Sequence, residues 1–586
     1  MSRRTCLVLA GGTIEKNLEL LAAERYAPDV VELRADFLAE ISDAGAEPAQ
    51  RPSPSVSASA GGRTRPAAED RPATKGSVTA DASPADVLRA AARRIRMPTI
   101  LTIRRPADGG SFTGREADRL ELLRSAGPAF DYVDLELDTL RLAEGKALAA
   151  ELRRVGVAII CSYHDFAGMP SRPLGELLAE LMELGDIGKL AVRPTSTADL
   201  LVLQQAAALS ALPGSSPTPG SPAASASSAG RAGGAQASSA KRDGDAESAS
   251  GIPRYGTVLL GMGSFGFATR VLPERFGSLW TYAAPLEGAV APGQVSLTDL
   301  NELYRFSDIH DRAPTFAVVA DPVMHSRSPH YHNPEFRKGG VDAVYLPLHV
   351  DDFDLFPRLA DGLGILGASV TVPHKAAAAR LADSGASESV RALGVANTLL
   401  WDQRRGAWRA ENTDVLGFLA GLATVPTHAT VLGAGGSTRA VVYALLSCGV
   451  RVKIINRTVS KAEALADDAA AWFSGGATDG RPVEVAPTPP HGDPDNGDLG
   501  PYRQLIVNTT SLGMTGGPAE TGDPASWYTY HGDETCYDIV YTPALTPFLR
   551  HARRAGCTTI GGSVMFAAQA EAQQRLFREV YAAATP

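Results

Sequence analysis

The chain has 586 residues, of which 44% are hydrophobic and 21% charged, with a formal net charge of -9. This length allows several domains and the composition is that of a soluble globular protein. The acidic balance argues against a nucleic-acid surface, and no apolar run approaches the roughly 18 residues of a membrane span. Five scattered cysteines without a C-x-x-C pair argue against a disulfide scaffold or a zinc site and fit a reducing cytosol.

In chain order, "TCLVLA", "VVELRAD", "TILTIRR", "YVDLELD", "VAIICSYHD", "GKLAVRP" and "GTVLLGMG" are short strand-like runs. The opening "MSRRTCLVLAGG" reads as a first strand and not as a signal peptide, so the cytoplasm is the expected location. Helical stretches such as "ADVLRAAARRIR" and "LGELLAELMELG" separate most of these runs. Repeated β-α units imply a parallel sheet, and their number in the first half favours a (β/α)₈ barrel. Three segments, about 43–84, 213–253 and 488–501, are too rich in Ala, Ser, Pro, Gly and Asp to bury a core and are expected to be mobile insertions inside domains.

In such a barrel the C-terminal strand ends face the active site. "VELRAD" places Glu32 and Arg34 there, "TIRRPADGG" Arg104 and Asp108, "DLELD" Asp134 and Glu136, "CSYHDF" His164 and "ATRV" Arg270. Each alone is an ordinary solvated strand end. Lys189 in "IGKLAV" differs, because a lysine inside an apolar strand is costly to bury. A desolvated amine is a nucleophile toward a ketone, and a neighbouring histidine could shuttle protons beside the resulting imine.

These motifs, with "APGQ" after them, resemble type I 3-dehydroquinate dehydratase over roughly residues 5–305. The resemblance implies that Lys189 forms an imine with the C3 ketone of 3-dehydroquinate. His164 would then remove a C2 proton and help the C1 hydroxyl leave. Glu32, Arg34, Arg104, Arg270 and Gln294 match substrate-binding positions. Two residues depart from the family: Asp108 stands where a glutamate usually orients the histidine, and Val290 where a serine is usual.

The pattern restarts after Asp311 with "TFAVVAD", and "THATVLGAGGSTRAVVYALLSCGVRVKIINRT" has the form of a dinucleotide-binding β-α-β unit. Gly433 permits the tight turn and Gly435 the close approach of a pyrophosphate, while Thr438 takes the third glycine position. Such a turn also occurs without a ligand. The next strand ends in Asn456, Arg457 and Thr458 with no acid, which suits a 2'-phosphate and therefore NADP over NAD.

"DPVMHSRSPHYHN", "SVTVPHK", "GVANTL", "ENTDVLGF", "VNTTSLGM", "YDIVYTPALTP" and "GGSVMFAAQA" together resemble shikimate dehydrogenase over roughly residues 313–583. The resemblance implies that Ser326 and Ser328 hold the shikimate carboxylate and that Lys375 and Asp414, each ending a strand-like run, form a catalytic dyad. It places Thr371, Asn397, Tyr541 and Gln569 in the substrate pocket. It places Gly433, Ala434, Gly435, Gly436, Ser437, Asn456, Arg457, Thr458 and Met514 around NADP. Ser369 and Glu411 replace a frequent asparagine and a frequent glycine, neither touching the dyad.

The two halves explain each other, since the product of the first is the substrate of the second. The expectation is a bifunctional shikimate-pathway enzyme with a barrel over 1–311, a substrate-binding domain over 312–425 and a Rossmann-type NADP domain over 426–586, whose C-terminal helix returns to the substrate domain. Its expected partners are small-molecule substrates, with no metal, nucleic acid or membrane; a homodimer is compatible with it. Two alternatives stay open: a second half acting on quinate, and one inactive half serving as a binding scaffold.

Overall fold

The computed structural model describes residues 3–39, 41, 82–210, 253–286, 293–472, 483–490 and 498–585. The segments expected to be mobile lie mostly outside these residues, as does Val290. The chain forms two compact units, Met1–Thr195 with Val202–Glu302, and Ser196–Leu201 with Leu303–Pro586.

The first unit is built on strands β1 (Thr5–Leu9), β2 (Val30–Arg34), β3 (Thr99–Thr102), β4 (Tyr132–Glu136), β5 (Ala158–Asp165), β6 (Ile187–Val192), β7 (Gly256–Gly261) and β8 (Thr281–Ala284). All neighbours are parallel, in the order β7-β6-β5-β4-β3-β2-β1-β8, with the short β9 (Val295–Ser296) beside β8. The sheet closes on itself just before β8. Leu279 N donates to Thr257 O (2.9 Å), and Ser278 Oγ accepts from Leu259 N (2.8 Å). The eighth strand, "TYAA", is too short and weakly patterned to be seen in the sequence.

Alternation along the strands builds the barrel interior in layers. Cys6, Val30, Ile100, Tyr132, Ile160, Ile187, Val258 and Tyr282 belong to one buried apolar cluster. Two residues further along β2, β3, β4, β5 and β6 come Glu32, Thr102, Asp134, Ser162 and Lys189, on the same inward face. The outer helices complete the layer. Helix Leu174–Leu184 buries Leu174, Leu177, Leu178 and Leu181, a single stripe at helical spacing. At the opposite end, aspartates staple alternate strand starts: Asp29 accepts from Thr5 N, Asp131 from Thr99 N and Asp186 from Ile159 N, at 2.7–2.8 Å.

The second unit contains two sheets. In the first, β10 (Thr315–Ala320), β11 (Val344–His349), β12 (Ile365–Val370), β13 (Thr398–Asp402) and β14 (Ala407–Glu411) run in the order β11-β10-β12-β13-β14. The first three are parallel and the last two antiparallel. In the second, β15 (His428–Leu432), β16 (Arg451–Asn456), β17 (Val483–Pro487), β18 (Leu505–Asn508), β19 (Thr535–Asp538) and β20 (Thr558–Ile560) are all parallel. Their order, β17-β16-β15-β18-β19-β20, reverses between β15 and β18, which is where a doubly wound sheet opens a crevice for a dinucleotide. The last helix, Gly562–Ala584, packs on the first sheet, with Phe577 against Phe316 at 5.0 Å between ring centroids.

Candidate active sites

In the barrel, Lys189 is 3% exposed. It is not the solitary desolvated amine that the strand pattern implies. Its Nζ donates to Asp134 Oδ2 (2.9 Å), lies 3.5 Å from Glu32 Oε1, and sits 4.3 Å from the centroid of the Tyr282 ring. Asp134 is the hub, also accepting from Arg104 Nη2 (2.8 Å) and Ser162 Oγ (2.5 Å). Burial alone would raise the Asp134 pKa, but the Lys189 and Arg104 cations overcome it and hold the carboxyl well below its ordinary range. Asp134 is therefore the centre of the cluster, although the family resemblance gave it no role. Its signal was in "DLELD", where an inward period of two carries acids after Tyr132.

His164 stands near the end of β5 and is half-buried as a residue. Desolvation, then the Arg104 and Lys189 charges, push its pKa well below the ordinary value. Its Nδ1 is buried without a hydrogen-bond partner among the described residues. Asp108, expected to orient it, instead accepts from Arg105 Nε at 3.0 Å, an i,i+3 pair that its short side chain reaches more readily. Phe166 lies roughly parallel to the His164 ring at 6.1 Å and rests on Gly109, where a Cβ would sit 2.3 Å from the ring.

The arginines divide. Arg34 is committed to Asp36 by two bonds of 2.8 and 2.9 Å, so it braces the loop as much as it faces a substrate. Arg270 lies on the short helix Phe267–Val271 after β7 and not at a strand end as the sequence suggested. Burial lowers its pKa to about 10, its Nε lacks a partner, and no carboxylate pairs with it among the described residues. A buried guanidinium of this kind is a ready counter-ion for a carboxylate ligand. Gln294 is half-buried just before β9.

In the second unit, Lys375 Nζ donates to Asp414 Oδ2 at 2.6 Å. Both residues begin helices, Lys375–Leu381 and Asp414–Ala420, a few residues past β12 and β14, instead of ending the strands. Asn397 Nδ2 reaches Asp414 Oδ1 (2.9 Å) and Gln569 Oε1 (3.2 Å), drawing two of the expected pocket residues to the dyad. Ser326 and Ser328 are joined by their hydroxyls at 3.2 Å. Thr371 is half-buried between β12 and Lys375, and Tyr541 packs on Phe566 at 5.0 Å between centroids.

At the sheet reversal, Gly433 has φ +119°, a conformation open to glycine, and a Cβ there would lie 2.7 Å from Thr509 Oγ1. Cβ atoms built on Gly435 and Gly436 meet nothing within 4 Å, so the turn from Ala434 to Ser437 presents bare backbone at a helix start. Thr438 is buried and accepts from Gly435 N (2.8 Å), doing by hydrogen bond what a third glycine does by close packing. Asn456 Nδ2 donates to Thr458 O (2.8 Å), while Arg457 is exposed just after β16, where no acid among the described residues pairs with it. Met514 is exposed on the loop after β18. This donor set fits a phosphorylated dinucleotide.

Fold and sites together define an α/β enzyme with two catalytic units, a lysine-centred barrel and a Lys/Asp dyad beside a nucleotide fold. Residues 5–213 and 247–311 match the family model of type I 3-dehydroquinase, and residues 318–399 match that of the shikimate dehydrogenase substrate binding domain. The bifunctional 3-dehydroquinate dehydratase/shikimate dehydrogenase, chloroplastic, of Arabidopsis thaliana is 28% identical over 520 residues, 85% of this chain and 76% of that protein. A shikimate dehydrogenase (NADP(+)) of Ruegeria sp. (strain TM1040) is 35% identical over 270 residues, 44% of this chain and 91% of the relative. A solved dehydroquinate dehydratase and shikimate dehydrogenase from S. pombe covers 99% of the chain and 98% of its own, at 22% identity and a TM-score of 0.36. The chain belongs to the shikimate dehydrogenase family, and the part in front of that unit matches the type I 3-dehydroquinase model. No helix among the described residues is long and apolar enough to cross a membrane.

Proposed function

We propose that the chain dehydrates 3-dehydroquinate to 3-dehydroshikimate through an imine on Lys189 and then reduces that product to shikimate with NADPH. The observation that carries the reading is a recurrence: in each unit a lysine nitrogen lies within 3 Å of a carboxylate at the pocket end of its sheet.

In the barrel, the substrate ketone displaces Lys189 from Asp134, and Nζ attacks C3 with loss of water. The iminium then withdraws the electron pair left when His164 takes a C2 proton. A low pKa leaves the His164 ring neutral and ready for that proton. His164 returns the proton to the C1 hydroxyl, which departs as water, and hydrolysis frees Lys189. Arg270, buried and without a carboxylate partner, holds the substrate carboxylate.

In the second unit, Ser326 and Ser328 hold the carboxylate of the six-membered ring. Gly433, Gly435, Gly436, Asn456, Arg457 and Thr458 would hold NADP, which when bound as NADPH supplies the hydride. Lys375 gives the matching proton to the ketone oxygen, and Asp414 and Asn397 hold Lys375 toward it. Retention of both serine hydroxyls supports shikimate over quinate, whose C1 bears an extra hydroxyl.

Borohydride added with 3-dehydroquinate should reduce the imine and tag the peptide carrying Lys189. An untagged, fully active protein would rule the imine out. For the second unit, purified protein should oxidise shikimate with NADP faster than quinate with NAD, and the reverse preference would replace the assignment.

A further inference from the structure

Ser369 was singled out in the sequence as a replacement that does not touch the dyad, and by direct contact it does not. It occupies the middle of a buried hydrogen-bond chain that ends there. Tyr345 on β11 donates its hydroxyl to Ser369 Oγ on β12 (2.7 Å), and Ser369 donates to Gln573 Oε1 on the last helix (2.8 Å). Gln573 Nε2 donates to Thr398 Oγ1 (2.9 Å) and to the Asn397 carbonyl (3.1 Å). Thr398 donates to Asn397 Oδ1 (2.8 Å), and Asn397 Nδ2 donates to Asp414 Oδ1 (2.9 Å), whose other oxygen holds Lys375. Tyr345, Ser369, Gln573, Thr398, Asn397 and Asp414 are all buried.

Every link points the same way, from phenol to carboxylate. Hydrogen bonds so aligned polarise one another, and a buried chain of this kind is strong when complete and costly when cut. Burial raises the Tyr345 pKa, with Ser369 and Ser328 opposing it, so the phenol remains a donor. Ser328 thereby connects the far end of the chain to the serine pair. Asn397 is the joint that matters. One face of its amide accepts from Thr398 and from Thr413 N (2.9 Å), and the other donates to Asp414, so its plane fixes the plane of the carboxylate.

We propose that Ser369 is a positioning residue of the dehydrogenase: through Gln573 and Thr398 it fixes the Asn397 amide, and with it the carboxylate that aims Lys375. The proposal rests on the dehydrogenase reading of the second unit. Ser369→Ala strands both the Tyr345 hydroxyl and Gln573 Oε1 in a dry site and frees the Gln573 amide to turn, which would set its carbonyl against that of Asn397.

The test is steady-state oxidation of shikimate by the full chain and its variants. Ser369→Ala should lower kcat about tenfold and change the KM for shikimate less, since Ser369 acts on the pocket only through Gln573, Thr398 and Asn397. Ser369→Thr, which restores the hydroxyl, should recover most of kcat. Tyr345→Phe should lower kcat less, and the double variant should be no slower than Ser369→Ala, as members of one chain are not additive. Unchanged kcat in the alanine variant, a rise in KM alone, or additive losses would each overturn the proposal. So would failure of Ser369→Thr to recover kcat despite a wild-type melting temperature. A second readout needs no turnover. The Asn397 side-chain amide proton resonances should move in Ser369→Ala and return in Ser369→Thr. If they stay fixed, the proposal fails even should the wild type prove inactive on shikimate, a result that would instead remove the dehydrogenase reading.

Discussion

Two lysines in this chain meet carboxylates in opposite settings. Lys189 lies inside a strand, 3% exposed, near Glu32 of β2 and Asp134 of β4, with Arg104, just past β3, on the same aspartate. Lys375 begins a helix, is half-buried, and faces one carboxylate tied into a network of neutral amides and hydroxyls. A nucleophile that must form a covalent bond benefits from enclosure, because water would hydrolyse its intermediate early. A proton donor that recharges each cycle benefits from an opening to solvent. Under the proposed mechanism the charges around Lys189 rearrange when substrate arrives, whereas the network around Lys375 is already set and need only hold.

The sharpest break between the two settings is Lys189→Ala. It should cut dehydration by on the order of 10⁴-fold or more, followed by the ultraviolet absorbance of the conjugated product, and leave shikimate oxidation unchanged. Lys375→Ala should do the converse with a smaller loss, roughly 10²–10⁴-fold in NADPH-dependent reduction, as expected for removal of one general acid. Equal losses of both activities in either variant would mean that the units are not chemically separate. Arg457→Ala should raise the KM for NADPH about tenfold or more and leave that for NADH nearly unchanged, the range for a lost charge-assisted hydrogen bond. The smallest effect is a matter of pH. A histidine of ordinary pKa would lose half its base form at about pH 6.5. Because the folded His164 pKa is depressed, its neutral form persists below that value, and dehydratase kcat/KM should hold level through pH 6.5. A fall centred there would contradict the buried-histidine geometry.

What the sequence revealed and what it hid follow from the reach of each interaction. Strand alternation is local, so Glu32, Arg104, His164 and Lys189 could be placed on one barrel end from period alone. Pairing is not local. Nothing in "DLELD" says that Asp134, rather than Glu136, takes Lys189: strand register aligns Glu136 with Lys189 through Ser162, yet Glu136 accepts from Arg119 (2.8 Å) and Asp134 from Lys189. Arg34 and Asp108 show the converse. Each had a nearer partner within three residues, Asp36 and Arg105, and took it. The eighth strand escaped because four residues, two of them alanine, carry little pattern. The Ser369 chain escaped because its members lie up to 228 residues apart, from Tyr345 to Gln573.

The last helix deserves one more thought as a matter of timing. Gln569 and Gln573, which touch Asn397 from Gly562–Ala584, are made some 170 residues after it. Domains fold as they leave the ribosome, so the barrel can be finished and at work while the dehydrogenase pocket still lacks a wall. A stop codon before Gln569 should therefore leave the proposed first reaction intact and remove the contacts that hold Asn397 in the second unit.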